Sequence, residues 1–519
     1  MAENSDTTVM TRRSRKKATF WHLVFSYSTI IYAIVSGLLM VPLYLKYIPI
    51  ELYGAWLATG NIVNWLLVVD PGISTVVMQR VGKSYGADDR SEVGEYAAGG
   101  LLITGVIVLV VLIAGLVSAS QVGSWVNLTD LALATELESN FKIAVFASAI
   151  TLFAFAAGSV NLGLQASFAH GICYLIANTM SLVTTAVGLL QGWGLLAITI
   201  GLLVRAVIFC GGGLGYMLWR FHEESVALSC CRERIYEILG LMSFTSLGRI
   251  GALLTKNMDA FVLARFLGPE MVPVLVLTRR GFEVAEMVLT RTGNAVGPSL
   301  SHLKGEDDRG KMRSIITRLL SLNVWVLGLA FGGYLAFNDD FIYLWVGAEF
   351  FAGATVSYLL CILLVFTVMV TLMQTLCMAL GDIKRNSVMQ FVRAFITFVC
   401  LIGGVYAFGI IGAVIAPLLG IVVIASWYYP RSLGRLTGLL RSDWLQLGRE
   451  AVISLVCSLV LFALFMEFEP ITWSNFCLNA GAMAGLYTIL LFSVSRLARE
   501  EGIGFLSLLH SKMSRLLGA

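Results

Sequence analysis

RIGALLTKNMDAFVLARFLGPEMVPVLVLTRRGFEVAEMVLTR, residues 249–291, reads as two membrane-length apolar runs studded with charge. The first run carries Arg249, Lys256 and Asp259, and ends at Arg265. The second carries Arg279, Arg280, Glu283, Glu286 and Arg291. A charge deep in hydrocarbon costs at least ~3 kcal/mol on insertion scales, so such residues face a watery cavity or a partner. At about 100° per residue, Arg279, Glu283, Glu286 and Thr290 share one helix face. Arg249 and Lys256 also share a face, with Asp259 near them. Cations outnumber acids in the stretch, which is consistent with a cationic, water-filled lumen between two helices. Mutual pairing that only holds a bundle together fits the same residues.

Composition sets the class. Hydrophobic residues make up 58% of 519, charged residues only 13%, and the mean hydropathy is +0.83. That excludes a soluble globular chain and indicates an all-α polytopic membrane protein built from apolar spans of about 20 residues. The nine Cys and five His are dispersed and show no metal-ligand spacing. No complete Gly-x-x-x-x-Gly-Lys-Ser/Thr phosphate loop is present, since Gly82-Lys83-Ser84 has Val77 in place of the first glycine, which argues against an ATP-driven pump of that type. No metal, cofactor or nucleic-acid partner is expected, and no enzyme activity.

Five cations (Arg12, Arg13, Arg15, Lys16, Lys17) precede the first apolar run. That run is too long for a signal peptide and is read as a retained helix with a cytoplasmic start. Hydropathy then gives about fourteen spans. Helix 2 is broken at Asp70-Pro71-Gly72, where Pro and Gly mark an unwound turn. Asp70 is either a coupling carboxylate or a helix-end residue. Helix 6 (195–219) holds Arg205 near mid-membrane, where it pairs with an acid or faces a lumen. Helix 7 is placed at 235–265, helix 8 at 272–297, and helix 11 (387–407) holds Arg393. An outer loop at 120–139 holds acids and no cation. Cations crowd the loops placed inside, while those placed outside contribute Lys46 alone. Both termini are therefore expected in the cytoplasm. The tail after Arg496 is basic and amphipathic, suited to the inner leaflet.

An internal repeat organises these spans. Lys46 and Arg265, Glu51 and Glu270, and Arg90 and Arg309 are each separated by 219 positions. Trp193-Gly194 and Phe408-Gly409 are separated by 215. Helices 1–6 and 7–12 thus form two copies of a six-helix lobe in the same orientation. The expected organisation is a basic tail (1–19), an N-terminal lobe (20–219), a linker (220–234), a C-terminal lobe (235–429), helices 13–14 (430–495) and an amphipathic tail (496–519).

Pro42-Leu43-Tyr44, Tyr53-Gly54, Asp70-Pro71-Gly72, Asp259, Leu267-Gly268 and Pro298 with the following Asp307-Asp308-Arg309 loop carry a family resemblance. Over about residues 20–430 the chain resembles the lipid-linked oligosaccharide flippases of bacterial polysaccharide assembly, of the O-antigen type. These lie within the multidrug/oligosaccharidyl-lipid/polysaccharide exporter superfamily. The resemblance implies two six-helix lobes in a V around a central cationic cavity, plus two extra helices. It implies an undecaprenyl-diphosphate-linked glycan as cargo at the inner membrane, with membrane lipids and polysaccharide polymerase and chain-length machinery as partners. The chain departs from the family at Val272-Pro273-Val274, where an aromatic Tyr is usual.

On this reading Arg249, Lys256, Arg279, Arg280 and Arg205 bind the anionic cargo, and Asp259, Glu283, Glu286 or Asp70 binds the coupling ion. Arg forks suit phosphate oxygens and Lys supplies point charge. The alternatives are a multidrug/cation antiporter of the same superfamily, which would want an acidic cavity, and a membrane-embedded glycan polymerase or ligase.

Overall fold

The computed structural model describes residues 15–68, 72–242, 258–305, 309–466 and 472–502. Among the described residues every regular element is helical. In order, these are α1 (Arg15–Tyr47), α2 (Ile50–Val68), α3 (Ile73–Gly86), α4 (Arg90–Ala119), α5 (Val122–Trp125), α6 (Leu131–Gly163), α7 (Ser167–Leu190) and α8 (Leu195–Glu223). A helical run at 232–242 is α9. Then follow α10 (Met258–Leu267), α11 (Met271–Thr278), α12 (Arg280–Gly305), α13 (Arg309–Trp345), α14 (Ala354–Ala379), α15 (Ile383–Phe408), α16 (Ile410–Gly420), α17 (Ser426–Thr437), α18 (Arg441–Phe465) and α19 (Trp473–Val494).

Among the described residues, eleven helices are long and apolar enough to cross a membrane. They match the expected spans 1, 3–6 and 9–14. The other three are interrupted or charged. Span 2 is divided into α2 and α3. Span 7 is described only at its ends, as α9 and α10. Span 8 is α11 and α12, which carry the charges quoted above. The chain is therefore an all-α polytopic membrane protein, as its composition requires.

One expectation changes. The outer loop at 120–139 is mostly helical, because α6 begins at Leu131, ten residues before the apolar run. The Asp130 carboxylate caps it by accepting from the Ala132 and Leu133 amides at 2.7 and 3.3 Å. Such a cap supports polar turns that hydropathy does not register.

The repeat is visible in the elements. Gly194 (φ 55°, ψ −132°) and Gly409 (φ 58°, ψ −135°) adopt the same turn, 215 residues apart. Side chains with a Cβ avoid this conformation, so glycine is required at both.

Contacts divide the chain into two compact units, Met1–Pro273 and Val274–Ala519. The repeat places the joint between copies earlier, at 220–234. Packing explains why unit 1 continues past it. Ile238 and Met242 of α9 are buried in the same cluster as Val77, Val93 and Tyr96. Gly94 lies so close to the 224–231 segment that a Cβ would overlap the Ala227 carbonyl. Gly54 of α2 likewise abuts the Pro269 carbonyl, drawing the turn after α10 onto the Tyr53-Gly54 motif.

In unit 2, α18 and α19 are seated on α13 by a seam of small and polar residues. Ser454 donates to the Val324 carbonyl at 3.0 Å and Ser458 to the Gly328 carbonyl at 2.6 Å. Tyr487 of α19 donates to the Trp325 carbonyl at 2.7 Å. The buried Glu450 carboxylate accepts from Trp325 Nε1 (2.9 Å) and Ser495 Oγ (2.6 Å). Small residues let membrane helices approach closely, and each interhelical hydrogen bond contributes about 0.6 kcal/mol. Converting both Ser454 and Ser458 to Ala is expected to lower stability by about 1–2 kcal/mol, measured as a lower Tm in detergent. An unchanged Tm would mean that packing alone holds the seam.

Candidate functional site

The charged centre of unit 2 is built on the break between α11 and α12. Thr278 is fully buried there. Its hydroxyl donates to the Phe350 carbonyl at 3.1 Å and accepts from the Ala352 amide at 2.9 Å. Its carbonyl accepts from the Tyr334 hydroxyl at 2.8 Å. Three tertiary hydrogen bonds therefore fix the residue from which Arg279 and Arg280 project. Gly281 packs against the Tyr334 ring, which keeps α12 close to α13.

The two guanidinium groups converge on one acid. Arg279 Nε lies 3.2 Å from Glu283 Oε1, and Arg280 Nη1 lies 3.1 Å from Glu283 Oε2. Their i,i+4 and i,i+3 spacings place the three side chains over one helical turn. All three are partly exposed, at 20%, 29% and 33%. Pairing is thus real, yet two cations share one carboxylate and the trio carries one net positive charge. Glu286 lies one turn beyond Glu283; its carbonyl accepts from Thr290 Oγ1 at 2.8 Å.

The remaining sequence candidates do not all converge. Arg249, Lys256 and Asp70 lie outside the described residues. Asp259 is half-buried at the start of α10, and its carboxylate accepts from the Ala260 amide at 2.9 Å. Arg265 and Arg291 are exposed. Arg205 is half-buried on α8 of unit 1. Its charge acts on the Tyr32 hydroxyl, which donates to the Asn178 carbonyl at 2.6 Å. Among the described residues Arg205 has no acid partner.

A second charged cluster in unit 1 has a holding role. Arg234 contacts Glu92 (2.9 Å), Glu95 (3.3 Å) and Glu237 (3.4 Å), and Arg80 contacts Glu237 at 2.8 Å. Arg220 pairs with Glu224, and with Glu223 at 2.9 Å. Burial pushes the Glu224 carboxyl up, against the pull of the Arg220 guanidinium and the Tyr85 hydroxyl. These contacts tie the 220–237 segment to α3 and α4. Their cations are matched or outnumbered by acids, so no surplus charge faces a ligand.

The sequence reading did not select Arg393 of α15, although it registered the residue. Its side chain is 9% exposed, with Tyr429 and Glu286 near enough to act on its charge. The repeat does not single it out either. The 215-residue offset aligns Arg393 with Asn178, and Arg205 with Gly420.

No family model matches the sequence, and no curated protein matches it. Solved structures do. The lipid II flippase MurJ in an inward closed conformation superposes with a TM-score of 0.67 at 12% identity, covering 90% of this chain and 98% of that one. An inward-facing multidrug resistance MATE family transporter of the MOP superfamily gives 0.65 at 13% identity, covering 78% and 94%. An outward-facing conformation of such a transporter gives 0.58 at 13%, covering 84% and 99%. The chain therefore has the membrane-transporter fold shared by the MurJ flippase and the MATE structures of the MOP superfamily.

Proposed function

We propose that the chain is a flippase that moves an undecaprenyl-diphosphate-linked oligosaccharide across the bacterial inner membrane for polysaccharide assembly. Transport runs by ion-coupled alternating access, with both termini in the cytoplasm. The observation that carries this reading is the pairing of Arg279 and Arg280 with the single Glu283. A trio with surplus positive charge suits an anionic head group, because guanidinium forks bind phosphate oxygens bidentately. Glu283 is also placed to couple an ion: protonating it releases its hold on both arginines and biases a two-state equilibrium. Asp259, Glu286 and Asp70 are the other coupling candidates, and Arg249, Lys256 and Arg205 the other cargo-binding ones. Polysaccharide polymerase and chain-length machinery are proposed as partners.

A multidrug exporter shares the fold, as the MATE structures demonstrate, but cationic drugs favour an acidic site. The two readings separate in proteoliposomes. The flippase is expected to move a fluorescent lipid-linked oligosaccharide between leaflets, faster under an ion gradient. Export of cationic dyes with no movement of the lipid-linked glycan would overturn the proposal.

A further inference from the structure

A groove of about 850 Å³ opens in unit 1 between the start of α6 and the α7–α8 turn. Thr135, Glu136, Ser139 and Ile143 line it from α6, recurring at the three- and four-residue steps of one helix face. Trp193 and Leu196 line it from the turn. Asn140 joins the two walls: its Nδ2 donates to the Glu136 carbonyl and its Oδ1 accepts from the Thr199 hydroxyl of α8, both at 2.8 Å. A Cβ on Gly188 would overlap the edge of the Trp193 ring. The indole is thus seated on α7, and its residue stays 43% exposed. The volume is that of a site for one small ligand.

The polar side-chain atoms that face this groove are acceptors. Thr135 and Ser139 donate to the Leu131 and Thr135 carbonyls, at 2.8 and 3.0 Å, which leaves oxygen lone pairs. Among the described residues the Glu136 carboxylate makes no ion pair and accepts no hydrogen bond. Lys142, the cation of α6, is held by Glu138 at 2.6 Å, away from the groove. A bare anion finds no donor here. A primary ammonium brings three N–H donors and a positive charge, and an exposed indole adds cation–π attraction.

Height relative to the bilayer selects the source of that ammonium. With 33 residues, α6 is about 50 Å long, whereas the hydrocarbon core needs about 20 residues. Its apolar run starts ten residues in, so Thr135, Glu136 and Ser139 stand at head-group level. Trp193 lies between the ends of two spans, at the boundary where Trp is enriched. Ile143 is already within the apolar run, so the groove leads from head-group level to acyl-chain level. A membrane lipid meets both levels, a soluble amine only the first.

Interfacial enrichment by itself accounts for an aromatic residue at such a turn. The matching turn of unit 2 has one too, Phe408, 215 positions after Trp193. Glu136 has no such counterpart, since the positions 215 and 219 beyond it are Phe351 and Thr355. The carboxylate is therefore particular to the first lobe.

We propose that this groove binds a membrane phospholipid whose head group ends in a primary ammonium. The ammonium meets Glu136 and Trp193, and the apolar part of the lipid lies along Ile143 and Leu196. The site does not rest on the flippase reading.

The test uses the purified full chain in a neutral detergent. Its Tm is followed while short-chain phosphatidylethanolamine, phosphatidylcholine or phosphatidylglycerol is added. Wild type is expected to gain roughly 2–5 °C more with phosphatidylethanolamine than with either other lipid. Glu136→Gln loses that excess and Trp193→Ala reduces it, each read against the variant's own lipid-free Tm. Glu138→Gln, an acid of α6 outside the groove, keeps it. Equal gains with all three lipids overturn the site, as does Glu136→Gln that keeps the excess. The same gain with free ethanolamine overturns the lipid assignment in favour of a soluble amine. A Glu136-dependent excess in protein that moves no lipid-linked oligosaccharide upholds the site and removes only the flippase reading.

Discussion

Changing Arg279 and Arg280 together to Gln is expected to lower transport of a lipid-linked oligosaccharide by at least tenfold, with protein still present in the membrane. Tenfold corresponds to about 1.4 kcal/mol of lost binding, a modest demand on two forks that meet a diphosphate. The double change also leaves Glu283 without its partners at a partly exposed position, so some loss of stability accompanies it. A charge swap separates the two effects. Arg279→Glu with Glu283→Arg restores an ion pair at the same spacing and retains the net charge, yet moves the cation one turn along α12. If the arginines serve only the bundle, the swap recovers both stability and transport. If they bind cargo, it recovers stability alone, because fork geometry at the reacting position is lost. Glu283→Gln completes the set. It removes the carboxylate that both arginines share, and is expected to retain cargo binding while transport no longer responds to the ion gradient. Transport by the double glutamine variant at the wild-type rate would end the cargo-binding assignment.

Gly412→Val is expected to eliminate folded protein. α15 and α16 reverse at Gly409 and cross where Gly404 faces Gly412, and a Cβ on Gly412 would overlap the Gly404 carbonyl and carbon. Both obstructing atoms are backbone, so no rotamer change relieves the clash and the helices must separate. Overpacking costs about 1–3 kcal/mol in a core where side chains can adjust, and more is expected here. Gly412→Ala should already reduce the yield of monodisperse protein in size-exclusion chromatography, and Val should remove it. The equivalent position in unit 1 is Ala197, which packs against Gly188. That crossing already accommodates a methyl group, so Ala197→Gly is expected to have little effect. A monodisperse Gly412→Val protein would show that the two helices are not held by backbone contact.

Much of this architecture was legible in the chain because a bilayer imposes a simple rule. Every spanning segment must be apolar and satisfy its own backbone, so hydropathy alone locates most spans. The repeat was legible for a related reason. Turns such as Gly194 and Gly409 need a conformation open to glycine, so the residue type recurs with the geometry. The polar start of α6 was not legible, since a capped helix outside the apolar run has no hydropathy signature. Arg279, Arg280 and Glu283 were recognisable as neighbours from helical spacing, but spacing left open how the acid is divided. Arg393 was visible only as one charge in an apolar run.

Composition and periodicity by themselves determined a polytopic helical protein and a cluster of charge in the stretch of its seventh and eighth expected spans. Tertiary structure alone decided that α9 and α10 belong with unit 1, that two arginines share one glutamate, and that Arg393 has no partner at hand. The reason is physical: membrane insertion depends on each segment's own polarity, whereas charge compensation depends on which side chains from distant segments arrive within a few ångströms of one another.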